Sequence, residues 1–235
     1  MALCLACIAL AVVVIATLFN SPQFMIRKVV VHGNNLVPTQ QIKRDLWFAN
    51  GSNIFTVRGK VIVRTLTRNP IVASAHIHRK LPRTLIVDVT ERRPHFTLNT
   101  GIALYEVDRG GIPYRMVKTA DRNVSMIVCA VPRKIVLGKP LRSPTVSTAR
   151  ECLLLVQSKK IFSAVKITID QSGYLCLNVR DKFQVKMGRP EGFSGKLDIV
   201  QRVLKQIPDL VERGGYIDVT CPGGEAFKYA DKTAP

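Results

Sequence analysis

Few residues of this chain could do chemistry by type and spacing. Cys4-x-x-Cys7 has the spacing of a metal clip or a redox pair. It lies inside an apolar run, however, where thiols behave as small hydrophobes, and the packing reading is preferred. Cys129, Cys152, Cys176 and Cys221 are too far apart in sequence to form a paired zinc motif. An extracytoplasmic disulfide and unpaired core cysteines both stay open for them. His76-x-His78 would put two imidazoles on one face of a strand, an arrangement that a metal can use. With no third His or carboxylate patterned beside them and Arg79-Lys80 adjacent, a solvated strand face is the expectation, because zinc takes three or four protein ligands. His32 and His95 stand alone. Glu91, beside Arg92-Arg93, reads as half of a surface ion pair, and Asp108 as a turn residue. Asp218 alternates with Ile217 and Val219 and is expected to face solvent or a partner strand. The sequence has no phosphate-cradling glycine motif, no Gly-x-Ser-x-Gly elbow and no His-Glu-x-x-His helix. No catalytic residue, cofactor or metal site is therefore expected.

The elements around these residues are easier to read. Residues 2–19 carry no charge, proline or glycine, and at a 1.5 Å rise they cover about 27 Å, close to the hydrocarbon thickness of a bilayer. An uncleaved anchor over 1–22 is expected in preference to a signal peptide, since the run is long, lacks a basic start and is followed by no clear A-x-A site. A literal count of positive charge conflicts with an extracytoplasmic body, because Arg27 and Lys28 follow the segment and no Lys or Arg precedes it. A longer N-terminus would remove the conflict. The 235 residues suffice for one or two modest domains, and 47% hydrophobic with 22% charged residues is a globular composition. A net charge of +19 points to an anionic neighbour, whether lipid headgroups, a cell-wall polymer, an acidic protein or nucleic acid. Nucleic acid is the least favoured, because only 6% of residues are aromatic and no stacking array accompanies the basic residues.

In the body, Ile26 and Val29 to Val31 read as a strand stopped at Gly33-Asn34-Asn35. A helix starting at Pro38 or Thr39 follows, with Ile42, Leu46 and Trp47 as its apolar stripe. A second helix over 58–67 buries Val61, Ile62, Thr65 and Leu66 and stops at Asn69-Pro70. Residues 72–79 and 84–92 alternate as a hairpin. The order strand, helix, helix, strand, strand makes an α+β unit. Beyond Thr97, strands are expected at 102–107, 112–117, 161–170, 174–179 and 183–187, the last three as a meander. A final strand pair covers 216–220 and 226–229, and helices cover 147–158 and 195–207.

Taken together, these features resemble the FtsQ/DivIB family of bacterial cell-division proteins over nearly the whole chain. The most specific matches are Phe24-x-Ile26 to Gly33-Asn34, Gly51-x-Asn53-Ile54-Phe55, Asn69-Pro70-x-Val72, Arg79-Lys80-Leu81-Pro82 with Thr84-Leu85, Glu91-Arg92-x-Pro94 and Val107-Asp108-x-x-Gly111-x-Pro113. Val185-x-Met187-Gly188, Lys196-Leu197 and Tyr216-Ile217-Asp218-Val219 look like the later landmarks of the family. The resemblance implies an anchor over 1–22, a POTRA domain over 24–93, a β-rich domain with two helices over 94–230 and a short tail over 231–235. It implies a single-pass protein of the bacterial inner membrane with its body outside the cytoplasm, at the division septum. Such a protein is a non-enzymatic scaffold joining FtsB/DivIC-type and FtsL-type partners to regulate septal wall synthesis. The chain departs from the family pattern at its N-terminus, which lacks the basic cytoplasmic tail.

The resemblance also implies that the end of the β domain pairs edge-on with the FtsB-type partner. The matching segment is 221–229, and Cys221, Gly223, Phe227 and Tyr229 are the candidate partner-binding residues. A terminal strand can extend a partner's sheet through its backbone while alternate side chains set specificity. The alternative is that Phe227 and Tyr229 close the domain's own core. Two other functions compete with the scaffold. One is a POTRA-bearing component of protein transport or outer-membrane assembly, which would carry several POTRA repeats or a run of barrel strands. The other is a membrane-tethered enzyme or wall-polymer binder that uses the positive surface.

Overall fold

The structure, a computed structural model, describes residues 2–129, 135–170, 172–221, 223–224 and 226–229. The chain divides into two compact units, Met1–Arg92 and Arg93–Pro235. The first begins with α1 (Ala2–Asn20), a helix of 19 residues. Among the described residues no helix is long and apolar enough to cross a membrane. Several α1 side chains lie outside that set, so the expected transmembrane helix rests on sequence alone.

After a 3-10 turn at Pro22–Phe24 come β1 (Lys28–His32), α2 (Thr39–Asp45), α3 (Gly59–Leu66), β2 (Val72–Lys80) and β3 (Thr84–Glu91). The strand order is β1-β3-β2, with β1 parallel and β2 antiparallel to β3. Leu85, Val87 and Val89 alternate along β3 into a core closed by Ile42 and Leu46 from the α2 segment and by Ile62 and Leu66 from α3. This is the expected β-α-α-β-β order. Two side chains depart from expectation. Trp47, expected in the buried stripe, is 76% exposed because α2 stops at Asp45 and the chain tightens into a 3-10 turn over Trp47–Ala49. Val61 also faces solvent. The tighter winding rotates Trp47 off the face that Ile42 and Leu46 share.

The sequence clusters of this unit meet one another through their backbones. Ile26 lies outside β1 yet is fully buried, because its N–H bonds Ser52 O at 2.9 Å while Gly51 N–H bonds its carbonyl. Ile54 N–H in turn bonds Phe24 O. Arg79 donates from Nε to Ile54 O at 2.7 Å and from Nη2 to Val57 O at 3.0 Å. Glu91, expected as a surface ion pair, instead accepts from the N–H groups of Leu36 and Val37 at 2.8–3.0 Å. Its carboxylate supplies the acceptors that the loop backbone lacks between β1 and α2.

The second unit holds one nine-stranded sheet. Its elements are β4 (Phe96–Asn99), β5 (Leu104–Val107), β6 (Pro113–Val117), β7 (Ser125–Val128), α4 (Pro144–Ser158), β8 (Lys166–Ile169), β9 (Leu175–Val179), β10 (Phe183–Gly188), α5 (Phe193–Gln206), α6 (Leu210–Arg213), β11 (Gly215–Asp218) and β12 (Ala226–Tyr229). The strand order is β12-β11-β10-β9-β8-β7-β4-β5-β6. The expected meander holds for β8, β9 and β10, which are antiparallel neighbours. Around it, β7 to β8 and β10 to β11 are parallel steps, and parallel neighbours need crossover connections. Helix α4 makes the first crossover, and α5 with α6 the second. Among the described residues the unit therefore has three helices rather than the two expected. Val146, Cys152 and Val156 of α4 and Leu197 and Val200 of α5 pack with Ile127, Ile167, Leu177, Val185 and Ile217, so the helices cover one sheet face. The expected tail over 231–235 lies outside the described residues.

Gly33 gives a direct test of the first unit. Its φ is +79°, and a Cβ there would stand 2.2 Å from Val89 O. Gly51 has φ +80° with nothing within 4 Å of the same position. Gly33→Ala should therefore cost more than about 2 kcal/mol and Gly51→Ala about 1 kcal/mol. Glu91→Ala should cost about 1–3 kcal/mol, chiefly the cost of stranding the part-buried Val37 N–H. Trp47 is the only tryptophan, so its emission during denaturant unfolding of the full chain reads this unit. Equal midpoints for the two glycine variants would contradict the close approach of Gly33 to β3.

Candidate functional site

The candidate site is built outward from β10. In the parallel register Gln184 lies beside Tyr216, Val185 beside Ile217 and Lys186 beside Asp218. Alternation then sends Ile217, which is buried, to the helix-covered face and Tyr216 and Asp218 to the open face. Lys186 serves both of the latter. Its ammonium stands 4.2 Å from the Tyr216 ring centroid, a cation–π contact, and its charge acts on the Asp218 carboxyl. Burial alone would raise that carboxyl, but hydrogen bonds from Thr220 together with Lys186 outweigh it and hold Asp218 below the ordinary carboxylate range. Asp218 is thus a bonded group holding the end of β11. At the far end of β10, Lys196 is nearly buried and donates to Met187 O at 2.8 Å and Arg189 O at 2.9 Å. The two landmarks Met187-Gly188 and Lys196-Leu197 are therefore one interaction.

Beyond β11 lies β12, the last strand of the sheet, with a strand neighbour on one side only among the described residues. The register is antiparallel, with Tyr229 opposite Gly215, Lys228 opposite Tyr216, Phe227 opposite Ile217 and Ala226 opposite Asp218. Phe227 and Tyr229 therefore share the face of Ile217. They remain 50% and 37% exposed, and all four β12 side chains are exposed. The two rings meet edge to face at 6.4 Å between centroids. The pair overhangs the margin of the core instead of closing it.

Of the four candidate residues, the structure brings Phe227 and Tyr229 together on β12 and puts Cys221 and Gly223 in the connection before it. Cys221 is exposed and its carbonyl accepts from Gly224 N–H, while Gly223 takes φ +81°. Sequence reasoning missed Arg213, whose guanidinium lies 5.4 Å from the Tyr229 centroid. It is carried by α6, a single turn too short to leave a periodic signal.

Elsewhere, His76 and His78 are both exposed on β2. His78 Nε2 lies 3.2 Å from Asp88 Oδ2, and His32 Nδ1 lies 3.1 Å from Asp88 Oδ1. Among the described residues no group of three or more His, Cys, Asp or Glu could hold a metal ion. A groove of about 620 Å³ is lined by Cys129, Thr168, Cys176, Gln184, Lys186 and Thr220 among others. Burial pushes the thiols of Cys129 and Cys176 up, and that of Cys152 in the core up to about 12. All six cysteines are free.

An FtsQ-type POTRA unit is the first finding from known proteins: residues 24–92 match the family model described as "POTRA domain, FtsQ-type". In this chain that unit is followed by a helix-covered β-sheet whose last strand has one strand neighbour among the described residues. Two relatives match over most of their length. The cell division protein DivIB of Clostridium acetobutylicum is 26% identical over 211 residues, which is 88% of this chain and 83% of that protein. The cell division protein FtsQ of Syntrophotalea carbinolica is 24% identical over 206 residues, 86% of this chain and 72% of that protein. DivIB of Staphylococcus aureus is 41% identical over 71 residues, 30% of this chain and 16% of that protein. Over most of its length the chain is thus similar to cell-division proteins named FtsQ and DivIB, and residues 24–92 are an FtsQ-type POTRA domain.

The thiols test the geometry around β12. A thiolate is the reactive form, and burial suppresses it. Alkylation of the native protein at pH 8 followed by peptide mapping should modify Cys221 and leave Cys129 and Cys152 untouched until denaturant is added. Modification of Cys152 in the folded protein would contradict the packing of α4 on the sheet.

Proposed function

We propose that this protein is a membrane-anchored, non-enzymatic scaffold of the bacterial divisome whose β12 edge receives an extended segment of an FtsB/DivIC-type partner. The observation that carries the reading is the outermost strand itself. It ends the sheet, buries none of its side chains and displays an edge-to-face aromatic pair at the margin of the core. A partner strand laid along β12 would gain backbone hydrogen bonds, and its alternate side chains would cover Phe227 and Tyr229. Aromatic anchors with a neighbouring arginine, here Arg213, are the residue types that dominate interface energies. Cys221 and Gly223 would act by shaping the connection that delivers β12. An FtsL-type protein joins the same assembly in this reading, and the assembly regulates septal wall synthesis.

Helix α1 is the proposed anchor. Its 19 residues would reach about 28 Å at 1.5 Å per residue, enough to span the hydrocarbon layer with little tilt. The body would then lie outside the cytoplasm, at the septum. The names of the relatives, all cell-division proteins, support that location.

Two measurements test these statements. The double variant Phe227→Ser/Tyr229→Ser should bind the extracytoplasmic segment of the FtsB/DivIC-type protein at least about tenfold more weakly, as expected for hot-spot aromatics. Its melting temperature should stay that of the parent, because β12 buries no side chain of its own. Parent-like affinity would overturn the edge assignment. A C-terminal reporter that works only outside the cytoplasm should be active when fused to the full chain, whereas a fusion active only inside would overturn the proposed orientation.

A further inference from the structure

A second surface stands at the end of the first unit where the chain enters from α1, and it rests on the anchor reading above. Arg27 and Lys28 open β1, and both of their N–H groups bond Arg83 O, at 3.0 and 3.2 Å. Lys28 lies beside Thr84 across the β1–β3 ladder, and Lys80 lies opposite Thr84 on β2. One level of the sheet therefore carries a lysine on each outer strand, with Arg27 adjacent. Arg83 Nε donates to Gln23 O at 3.0 Å, which ties the β2–β3 turn to the segment leaving α1. At the tip of that turn Leu81 is 56% exposed, and Met25 on the entering segment is 39% exposed.

We propose that this end of the unit docks on anionic phospholipid headgroups of the membrane that α1 enters. Arg27, Lys28 and Lys80 meet phosphate groups, and Leu81 enters the interfacial layer. Three observations carry the proposal. The first is continuity: six residues separate the end of α1 from Arg27, and the Arg83–Gln23 bond folds the turn back onto them. The second is charge. Residues 22–92 hold twelve lysines and arginines against three carboxylates. Two of the three are held away from this end: Glu91 closes the opposite end of β3 on Leu36 and Val37, and Asp88 is four residues along β3 and is held by His32 and His78. The third, Asp45, ends α2. The third is the kind of cation. Arg79, beside Lys80, is committed to Ile54 O and Val57 O, whereas Arg27, Lys28 and Lys80 are exposed around an apolar tip. An apolar residue ringed by cations is the composition that an anionic interface binds, through attraction at the headgroups and burial just beneath them.

The test uses the full chain with Leu81→Trp in a Trp47→Phe background, which leaves a single indole at the tip of the turn. The protein is reconstituted into vesicles of brominated phosphatidylcholine, with or without phosphatidylglycerol at about one lipid in three. With phosphatidylglycerol the emission should shift to the blue and be quenched at least about twofold more than without it, and the difference should vanish near 0.5 M salt, where the Debye length falls to about 4 Å. Arg27→Glu/Lys28→Glu/Lys80→Glu should abolish the difference in low salt. Should that variant misfold, the salt titration of the folded parent tests the same charge dependence. Flotation at high salt separates the two readings. A chain that floats with the vesicles but gives the same emission on both lipids overturns the docking surface and leaves the anchor standing. A chain that does not float overturns the anchor, and the docking surface with it.

Discussion

The candidate site depends on how β11 is held. It has four residues, and every feature of β12 is inherited from it through one antiparallel ladder. Three interactions keep β11 in register: the parallel ladder to β10, the burial of Ile217 among the α4 and α5 side chains, and Lys186 engaging Tyr216 and Asp218 on the open face. A slip of one residue would send Ile217 to solvent and Tyr216 and Asp218 into the core, so the register is strongly specified. Once it is set, the outer strand needs no core contact of its own. An edge strand with four exposed side chains adds little to the burial that holds the fold.

The same division of labour explains which parts of the structure were legible in the sequence. The first unit was, because β2 and β3 alternate over nine and eight residues and its helices end at residues with a conformational reason to stop them. In the second unit β4 and β7 gave no signal. Each is four residues long, and Thr97 and Ser125 are buried among apolar neighbours, which erases the alternation that marks a half-buried strand. Ser125 is tolerated there because its Oγ accepts from Val165 N–H at 3.2 Å. The start of α4 was missed for a different reason. Pro144 at its first turn and Ser143, whose side chain accepts from Val146 N–H, are start signals that a search for apolar period alone passes over.

Residue roles were less legible than elements, because most of them are long-range. Glu91 beside two arginines has the local look of an ion pair, yet its partners are backbone N–H groups more than fifty residues away. Phe227 and Tyr229 could be marked as a candidate pair from sequence, since alternation puts them on one face. Whether they close a core or overhang it depends on what lies across from them, and Gly215 and Ile217 leave that margin open. Arg213 could not be found locally at all.

The high positive charge also separates into distinct uses once the donors are traced. Arg79, Arg83 and Arg92 each send Nε to a backbone carbonyl, on Ile54, Gln23 and Pro70 respectively, and Arg115 pairs with both oxygens of Glu106. Arginine suits these tasks because its planar fork reaches loop carbonyls and carboxylates with several donors at fixed angles. Lys196, the buried lysine, works similarly on the end of β10. Most of these cations serve the protein's own carbonyls, and Arg115 serves a carboxylate on the neighbouring strand. What remains for an external anion is the exposed set, of which Arg27, Lys28 and Lys80 stand closest in sequence or ladder to the chain's exit from α1. A net charge is thus a poor guide to function until the cations bound to the protein's own carbonyls have been set aside.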